Sequence, residues 1–339
     1  MILSGGMFIT TYFRINIIKE LMKVLNLIHA YPPLHHAGAE WMLHEMNKFL
    51  VEQGHSVDVL LPITGIKEYE FEGVNVKGDF YPGNREFIKN ADIIISHLDR
   101  AGKAFNLCEL YKKPFVFVVH NTNPMNILKY KPQVRRYVVY NSEYTKKDMN
   151  YPCPGVVVHP PVDGKRYKVG KRGSKLTLVN LFHRKGTATF QQIARLMPDR
   201  DFLGVEGGYG KQEKEAIKNI SYMDNTPDMK KVYSQTRILL MPSLYESYGR
   251  TAVEALVSGI PVIAAPTPGL KESLGEAGIF CDPEKPAEWV EAIKRLDDPE
   301  VYKEQSKKCS ERFKEIEAER GKELRAFEDF LFDIYERKI

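Results

Sequence analysis

The chain is expected to fold as a two-domain α/β protein, each domain a parallel sheet covered by helices. Three observations lead there. Short apolar runs alternate with helical patterns along almost the whole sequence, which is the pattern of strand–helix–strand units. The 339 residues suffice for two domains of ordinary size, each with its own core. A stretch rich in Pro, Gly and basic residues interrupts the pattern near the middle.

Taken in order, residues 1–21 read as a leader of uncertain structure. Phe8, Tyr12 and Phe13 are apolar, but Arg14, Lys19 and Glu20 break the run, and no small-residue cleavage site follows. Met22 then opens the first buried strand. Strands are expected at Val24–Ala30, Val57–Leu61, Asp92–Ser96, Phe115–Val119 and Tyr137–Tyr140 in the first domain, residues 22–163. Between the first two, Ala39, Met42, Leu43, Met46 and Leu50 share one helix face, closed by Gly54. The boundary falls in Pro160–Lys175, where six basic residues with Pro and Gly make a poor packed element and a good linker. The second domain, 164–320, has strands at Leu176–Leu181, Asp201–Val205, Ile238–Met241, Val262–Ala265 and Gly278–Cys281. From Glu300 the chain is charged and helical; Phe327, Phe330, Leu331 and Ile334 form a stripe in a closing helix, 321–339.

Composition narrows the function classes. Hydrophobic residues at 43% and charged ones at 27% are ordinary for a soluble chain. No apolar run approaches the roughly 20 residues of a membrane span. A net charge of +5 admits an acidic substrate, anionic lipid or nucleic acid without selecting one. Cys108, Cys153, Cys281 and Cys309 form no CxxC pair, so a reducing, cytoplasmic setting without structural zinc is the simplest expectation.

The chemistry concentrates in residues 242–265, where seven residues separate Glu246 from Glu254. On one helix these acids would point about 80° apart and stand about 12 Å apart along the axis. The better reading puts Glu246 in a loop after a buried strand and Glu254 in the second turn of a short helix stopped by Gly259. Unpaired amides around Tyr248, Gly249, Arg250 and Thr251 then lie between two carboxylates. Helix amides and the helix dipole favour a phosphate there, and carboxylates accept from sugar hydroxyls on either side. A nucleotide sugar fits that pattern.

This segment resembles the retaining GT-B glycosyltransferases of family 4 (glycosyl transferases group 1), whose signature is a Glu, seven residues, then Glu in this context. The resemblance covers nearly the whole chain after Met22 and is strongest over Leu176–Asp282. It implies two Rossmann-like domains facing a central cleft, with the closing helix crossing back onto the first. It implies transfer of a sugar from a nucleotide-diphosphate sugar to a hydroxyl acceptor, with retention and without a metal; the nucleotide sugar is a co-substrate and no cofactor is expected. Glu246 would contact the donor sugar and Glu254 the ribose. Gly38, in the turn opening the first helix, would lie beside the donor phosphates, and His120, at a strand's carboxyl end, would bond the transferred sugar. Lys185 and Gly186 match the family's Lys-Gly pair at the leaving diphosphate. The family arginine five residues earlier is Asn180 here, so Arg184 or Arg250 would supply the second cation.

Other residues carry weaker signals. Tyr31, His35, His36, His97, Asp99 and Arg100 stand at first-domain strand ends on the expected acceptor side. Gly204–Gly210 resembles the family's Gly-rich turn but misses GxGxxG spacing, and residues 222–232 would border the base. Lys129, Lys131, Arg135 and Arg136, interleaved with Tyr130 and Tyr137, read best as a solvated basic face. The acceptor is expected to be a glycan, a lipid-linked sugar or another hydroxyl compound, with peripheral contact at the inner membrane face compatible; nucleic acid is disfavoured, a modified DNA base being the minority acceptor. The alternatives are another GT-B enzyme, such as an epimerase or phosphorylase, and a non-catalytic nucleotide-sugar-binding subunit.

Overall fold

The computed structural model describes residues 20–63, 66–78, 83–124 and 134–337. The first sheet contains β1 (Lys23–Leu27), β2 (Ser56–Leu60), β3 (Tyr69–Phe71), β4 (Val74–Lys77), β5 (Ile93–His97), β6 (Phe115–Val119), β7 (Arg136–Tyr140) and β8 (Gly155–Val157). Their spatial order is β3-β4-β2-β1-β5-β6-β7-β8, parallel except for β3 against β4. The second sheet contains β9 (Lys175–Val179), β10 (Phe202–Val205), β11 (Ile220–Met223), β12 (Thr236–Met241), β13 (Val262–Ala264) and β14 (Gly278–Phe280). Its order, β11-β10-β9-β12-β13-β14, is parallel throughout.

Parallel strands covered on both faces read as near-continuous apolar runs, as in Phe115–Val119, which is buried from end to end. One face of the first sheet packs on Met42, Leu43, Met46 and Leu50 of the helix Gly38–Glu52. The other packs on Ala101, Ala104, Leu107 and Cys108 of the helix Ala101–Tyr111. The strands not anticipated, β3, β4, β8 and β11, are three or four residues long and mostly half-exposed. So short a run carries too little alternation to stand out in sequence.

Two expectations need correction. The segment Pro160–Lys175 is not a bare linker. Asp163 caps the short helix Gly164–Tyr167, Tyr167 is buried, Arg166 Nη2 donates to Glu72 at 2.6 Å, and Arg172 Nη1 donates to the Gly259 carbonyl at 2.7 Å. Arg166 thus ties the segment to the first domain, and Arg172 ties it to the second. Nor does a new helix begin at residue 321, because one helix runs unbroken over Pro299–Tyr335. Its Cys309 and Phe313 pack into the second domain, while Leu324, Phe327, Leu331 and Ile334 join the core of the first. Glu328 on this helix meets His55 at 3.0 Å. Among the described residues no helix is long and apolar enough to cross a membrane. The leader over residues 1–19, and Lys129, Tyr130 and Lys131, lie outside the described residues.

Candidate active site

The carboxyl ends of both sheets open onto one cleft of about 670 Å³, the place where ligands of parallel α/β folds bind. Its second-domain wall starts where β9 ends. Asn180 takes a left-handed backbone, φ 74°, which asparagine tolerates better than other non-glycine residues. Its Oδ1 accepts from the Phe182 amide at 3.2 Å and from Gln212 Nε2 at 3.3 Å. Asn180 therefore builds a turn where the family arginine would stand. Asn180→Ala should cost about 1–2 kcal/mol and Asn180→Gly clearly less, read as urea-unfolding midpoints, because only glycine keeps that backbone unstrained.

The turn delivers His183, Arg184 and Lys185, and Gly186 follows at φ 81°. Gly186 does not line the cleft. A Cβ there would come within 2.1 Å of the Pro242 carbonyl oxygen, so its part is to let two backbones meet and aim Lys185 inward. Lys185 Nζ reaches Glu246 Oε1 at 2.6 Å. Burial works against the ammonium charge, but the Glu246 carboxylate outweighs it and holds the lysine above its ordinary range. Arg184 lies across the Tyr245 ring at 5.4 Å, is exposed, and has no ion-pair partner among the described residues.

Glu246 stands in the loop after β12, and Glu254 in the helix Arg250–Leu256. Glu246 Oε1 also accepts from Ser243 Oγ at 3.0 Å, which leaves Oε2 without a partner among the described residues. Glu254 is fixed on both oxygens, by Arg250 Nε at 2.9 Å and Tyr233 OH at 2.9 Å. Burial raises the Glu254 carboxyl, and the Arg250 guanidinium pulls it back. Gly249 (φ 92°) and Thr251 line the cleft. Tyr248 borders it too, while its ring is buried against His159 at 4.8 Å between centroids. Arg250 is largely committed elsewhere. Besides Glu254, it donates to Tyr167 OH at 2.8 Å and to the Pro161 carbonyl. Of the two substitutes for the missing arginine, Arg184 is the one free to meet an anion.

The first-domain wall presents Gly38, His29, His35, His36, Glu40, Asp99 and His120. Burial pushes His120 down to about 4, so it faces the cleft as a neutral imidazole. His97 lies fully buried behind it, 3.0 Å away between His97 Nδ1 and His120 Nε2. Tyr31 is not an acceptor contact; it is buried, bonded to His44 at 3.0 Å and Asn47 at 3.2 Å. Arg135 is turned to the Ile334 carbonyl at 3.0 Å and lies outside the cleft lining, so the expected basic face does not extend the site. The Gly-rich turn contributes Gly207, Gly208 and Tyr209, and Gly208 packs so closely on His36 that a Cβ would sit 2.5 Å from the His36 carbonyl.

Several residues that join the walls carried no sequence signal. Tyr245 OH accepts from the Thr122 amide at 2.8 Å, and Asn141 Nδ2 donates to Ser247 Oγ at 2.9 Å. Both contacts run between domains, so neither belongs to a local pattern. His29 could have been found by the argument that found His120, since it closely follows the carboxyl end of β1.

Two parallel-sheet domains that share one cleft and are bridged by a returning helix define the GT-B fold. The crystal structure of Anabaena HepE in complex with UDP and glucose is similar, with a TM-score of 0.71 at 17% identity over 91% of this chain and 99% of that one. Residues 180–298 match the family described as Glycosyl transferases group 1. A D-inositol 3-phosphate glycosyltransferase from Corynebacterium glutamicum (strain R) is 40% identical over 95 residues, 26% of this chain and 23% of the relative. Another from Arthrobacter sp. (strain FB24) is 26% identical over 185 residues, 47% of this chain and 44% of the relative. The chain thus aligns with less than half the length of either of these relatives.

Proposed function

We propose that this chain is a glycosyltransferase that moves a sugar from a nucleotide-diphosphate sugar to a hydroxyl acceptor, with retention and with no metal at the diphosphate. The observation that carries the reading is the Lys185–Glu246 pair at 2.6 Å on one cleft wall, with Glu254 in the same lining. The group 1 match over residues 180–298 and the UDP and glucose held by a protein of the same fold support it.

In this reading Glu254 holds the ribose and Glu246 Oε2 accepts from a hydroxyl of the transferred sugar, which His120 bonds from the opposite domain. Amides of Gly249 to Thr251 and the backbone at Gly38 meet phosphate oxygens. Lys185 and Arg184 bear the charge that grows on the diphosphate as the bond to the anomeric carbon breaks. The acceptor oxygen attacks on the face the diphosphate leaves, and its proton passes to the departing phosphate oxygen. No side-chain base is required. Domain closure, to which the interdomain contacts of Tyr245 and Asn141 contribute, would exclude water and limit donor hydrolysis.

A thermal-shift screen of UDP-, GDP- and ADP-sugars, followed by turnover, tests this. The matching donor at a hundred times its Kd should add about 2.7 kcal/mol of apparent stability. Nucleotide release that depends on an acceptor supports transfer. Saturable binding without turnover against glycan, lipid-linked and phosphorylated acceptors points instead to a non-catalytic binder.

A further inference from the structure

The acceptor wall holds a cluster that the proposed transfer does not use. His29 Nε2 lies 3.1 Å from Glu40 Oε1, and one ligand-type atom each of His29, Glu40 and His97 falls within 4.8 Å of the other two. Two of their polar atoms, Glu40 Oε2 and His97 Nε2, are buried without a hydrogen-bond partner among the described residues, and the third, His29 Nδ1, has no hydrogen bond and faces Asp99 Oδ1 at 3.7 Å. Glu40 is 1% exposed and His97 0%, so solvent does not satisfy those atoms. Leaving such groups unpaired costs roughly 1–3 kcal/mol each, which calls for a partner.

We propose that His29, Glu40 and His97 bind a divalent transition metal at the acceptor wall of the cleft, zinc being the ion their two imidazoles and one carboxylate suit best. Two histidines and one glutamate, with a further position open, is a ligand set of catalytic rather than structural zinc sites. Tetrahedral zinc with bonds of about 2.1 Å needs ligand atoms roughly 3.4 Å apart, within the range of this cluster after small side-chain rotations. To ligate through Nε2, His97 must carry its proton on Nδ1, and His120 Nε2 at 3.0 Å is placed to accept that proton's hydrogen bond. Two of the ligands ride on regular elements, Glu40 in the first turn of the helix Gly38–Glu52 and His97 at the end of β5, and His29 stands in the loop two residues beyond β1.

His29 and Glu40 line the cleft, so the open position faces the space where an acceptor would lie. There the ion would orient an acceptor oxygen, a role that rests on the glycosyltransferase reading. Its three ligands stand on the first domain, whereas Lys185 and Arg184 stand on the second, and the diphosphate is still met by side chains and amides.

The test is metal binding by the full chain, stripped with a chelator and titrated with zinc alone, with bound metal counted by mass spectrometry. The wild type is expected to hold one equivalent and to rise in Tm as zinc is added. Cobalt in its place should give a visible d–d spectrum. Glu40→Gln and His97→Gln should each weaken zinc binding at least tenfold and abolish the cobalt bands. His120→Ala should weaken binding roughly 10–100-fold as the loss of a supporting hydrogen bond. His183→Ala, an exposed histidine outside the cluster, should leave the stoichiometry at one. Circular dichroism and urea midpoints identify any variant that fails to fold, and the cobalt spectrum of whichever cluster variant folds decides. No retained zinc in the wild type, or equal binding by the folded cluster variants (an adventitious ion only), overturns the proposal. Zinc binding without sugar transfer would sink the functional reading alone, and transfer without zinc binding would sink this one alone.

Discussion

Replacing Lys185 with alanine is expected to lower sugar transfer by roughly a hundred- to a thousandfold, about 2.7–4 kcal/mol of transition-state stabilisation. The lysine carries its charge in a site where burial strengthens every electrostatic interaction. Its partner Glu246 is 8% exposed, so the ammonium is both fixed in position and kept protonated. The charge matters most when the diphosphate departs, so kcat should fall much further than KM rises. Lys185→Arg should restore little, because a planar fork does not replace the point charge that meets Glu246 Oε1 at 2.6 Å.

The same substitution leaves Glu246 Oε1 with Ser243 as its remaining partner, so some stability is also lost. The double variant Lys185→Ala/Glu246→Ala separates the two effects. Stability should fall by less than the sum of the single losses, since the pair is coupled, while activity should stay at the Lys185→Ala level or below. Product formation under saturating donor, alongside urea midpoints, measures both. Transfer at the wild-type rate by the double variant would remove this site from the chemistry.

The parts of the site legible in sequence were those set by short spacing. Seven residues between Glu246 and Glu254 specify a loop carboxylate and a helix carboxylate, and the structure has both. Lys185 was legible through the Lys-Gly pair of the family that the chain resembles, and the structure sets it in the turn after β9. Arg250 was not. Nothing near it in sequence reveals that Tyr167 and the Pro161 carbonyl, 83 and 89 residues away, occupy its guanidinium. Asn180 was read as a missing cation, and its side chain proves to be the turn itself. The hairpin β3–β4 and strand β11 were invisible because three or four half-exposed residues carry almost no periodicity. Contacts between domains are the hardest case, because they depend on two folds and one hinge together.

One such contact, His159, gives the second large effect expected of this chain. It follows β8 where the chain leaves the first domain, and its ring is clamped by two carboxylates, Nε2 to Glu272 Oε1 and Nδ1 to Glu323 Oε1, both at 2.7 Å. Glu272, on the helix Pro268–Leu274 of the second domain, also accepts from the Glu143 and Tyr144 amides of the first, at 2.7 and 3.0 Å. Glu323 rides on the returning helix, and Tyr248 of the cleft lies against the imidazole. Burial opposes the charge on His159, but the two carboxylates override it and raise the group to about 9. A folded-state value above the unfolded one means the stabilisation is complete below about pH 6.5 and is lost as pH rises through about 9. Glu272 is shifted the other way: burial raises it, the His159 and amide hydrogen bonds more than offset that, and its share disappears only in acid. The wild type should therefore lose roughly 2–3 kcal/mol between pH 6.5 and 10 through this node. His159→Gln should flatten that part of the pH profile and lower stability at neutral pH by a similar amount. Because the node lies behind Tyr248, the variant should also raise KM for the donor more than it lowers kcat, as expected when the two domains close less firmly. Urea midpoints across pH 6–10 measure the first effect and donor titrations the second; a His159→Gln profile that keeps the wild-type slope would show that His159 is not the group that titrates.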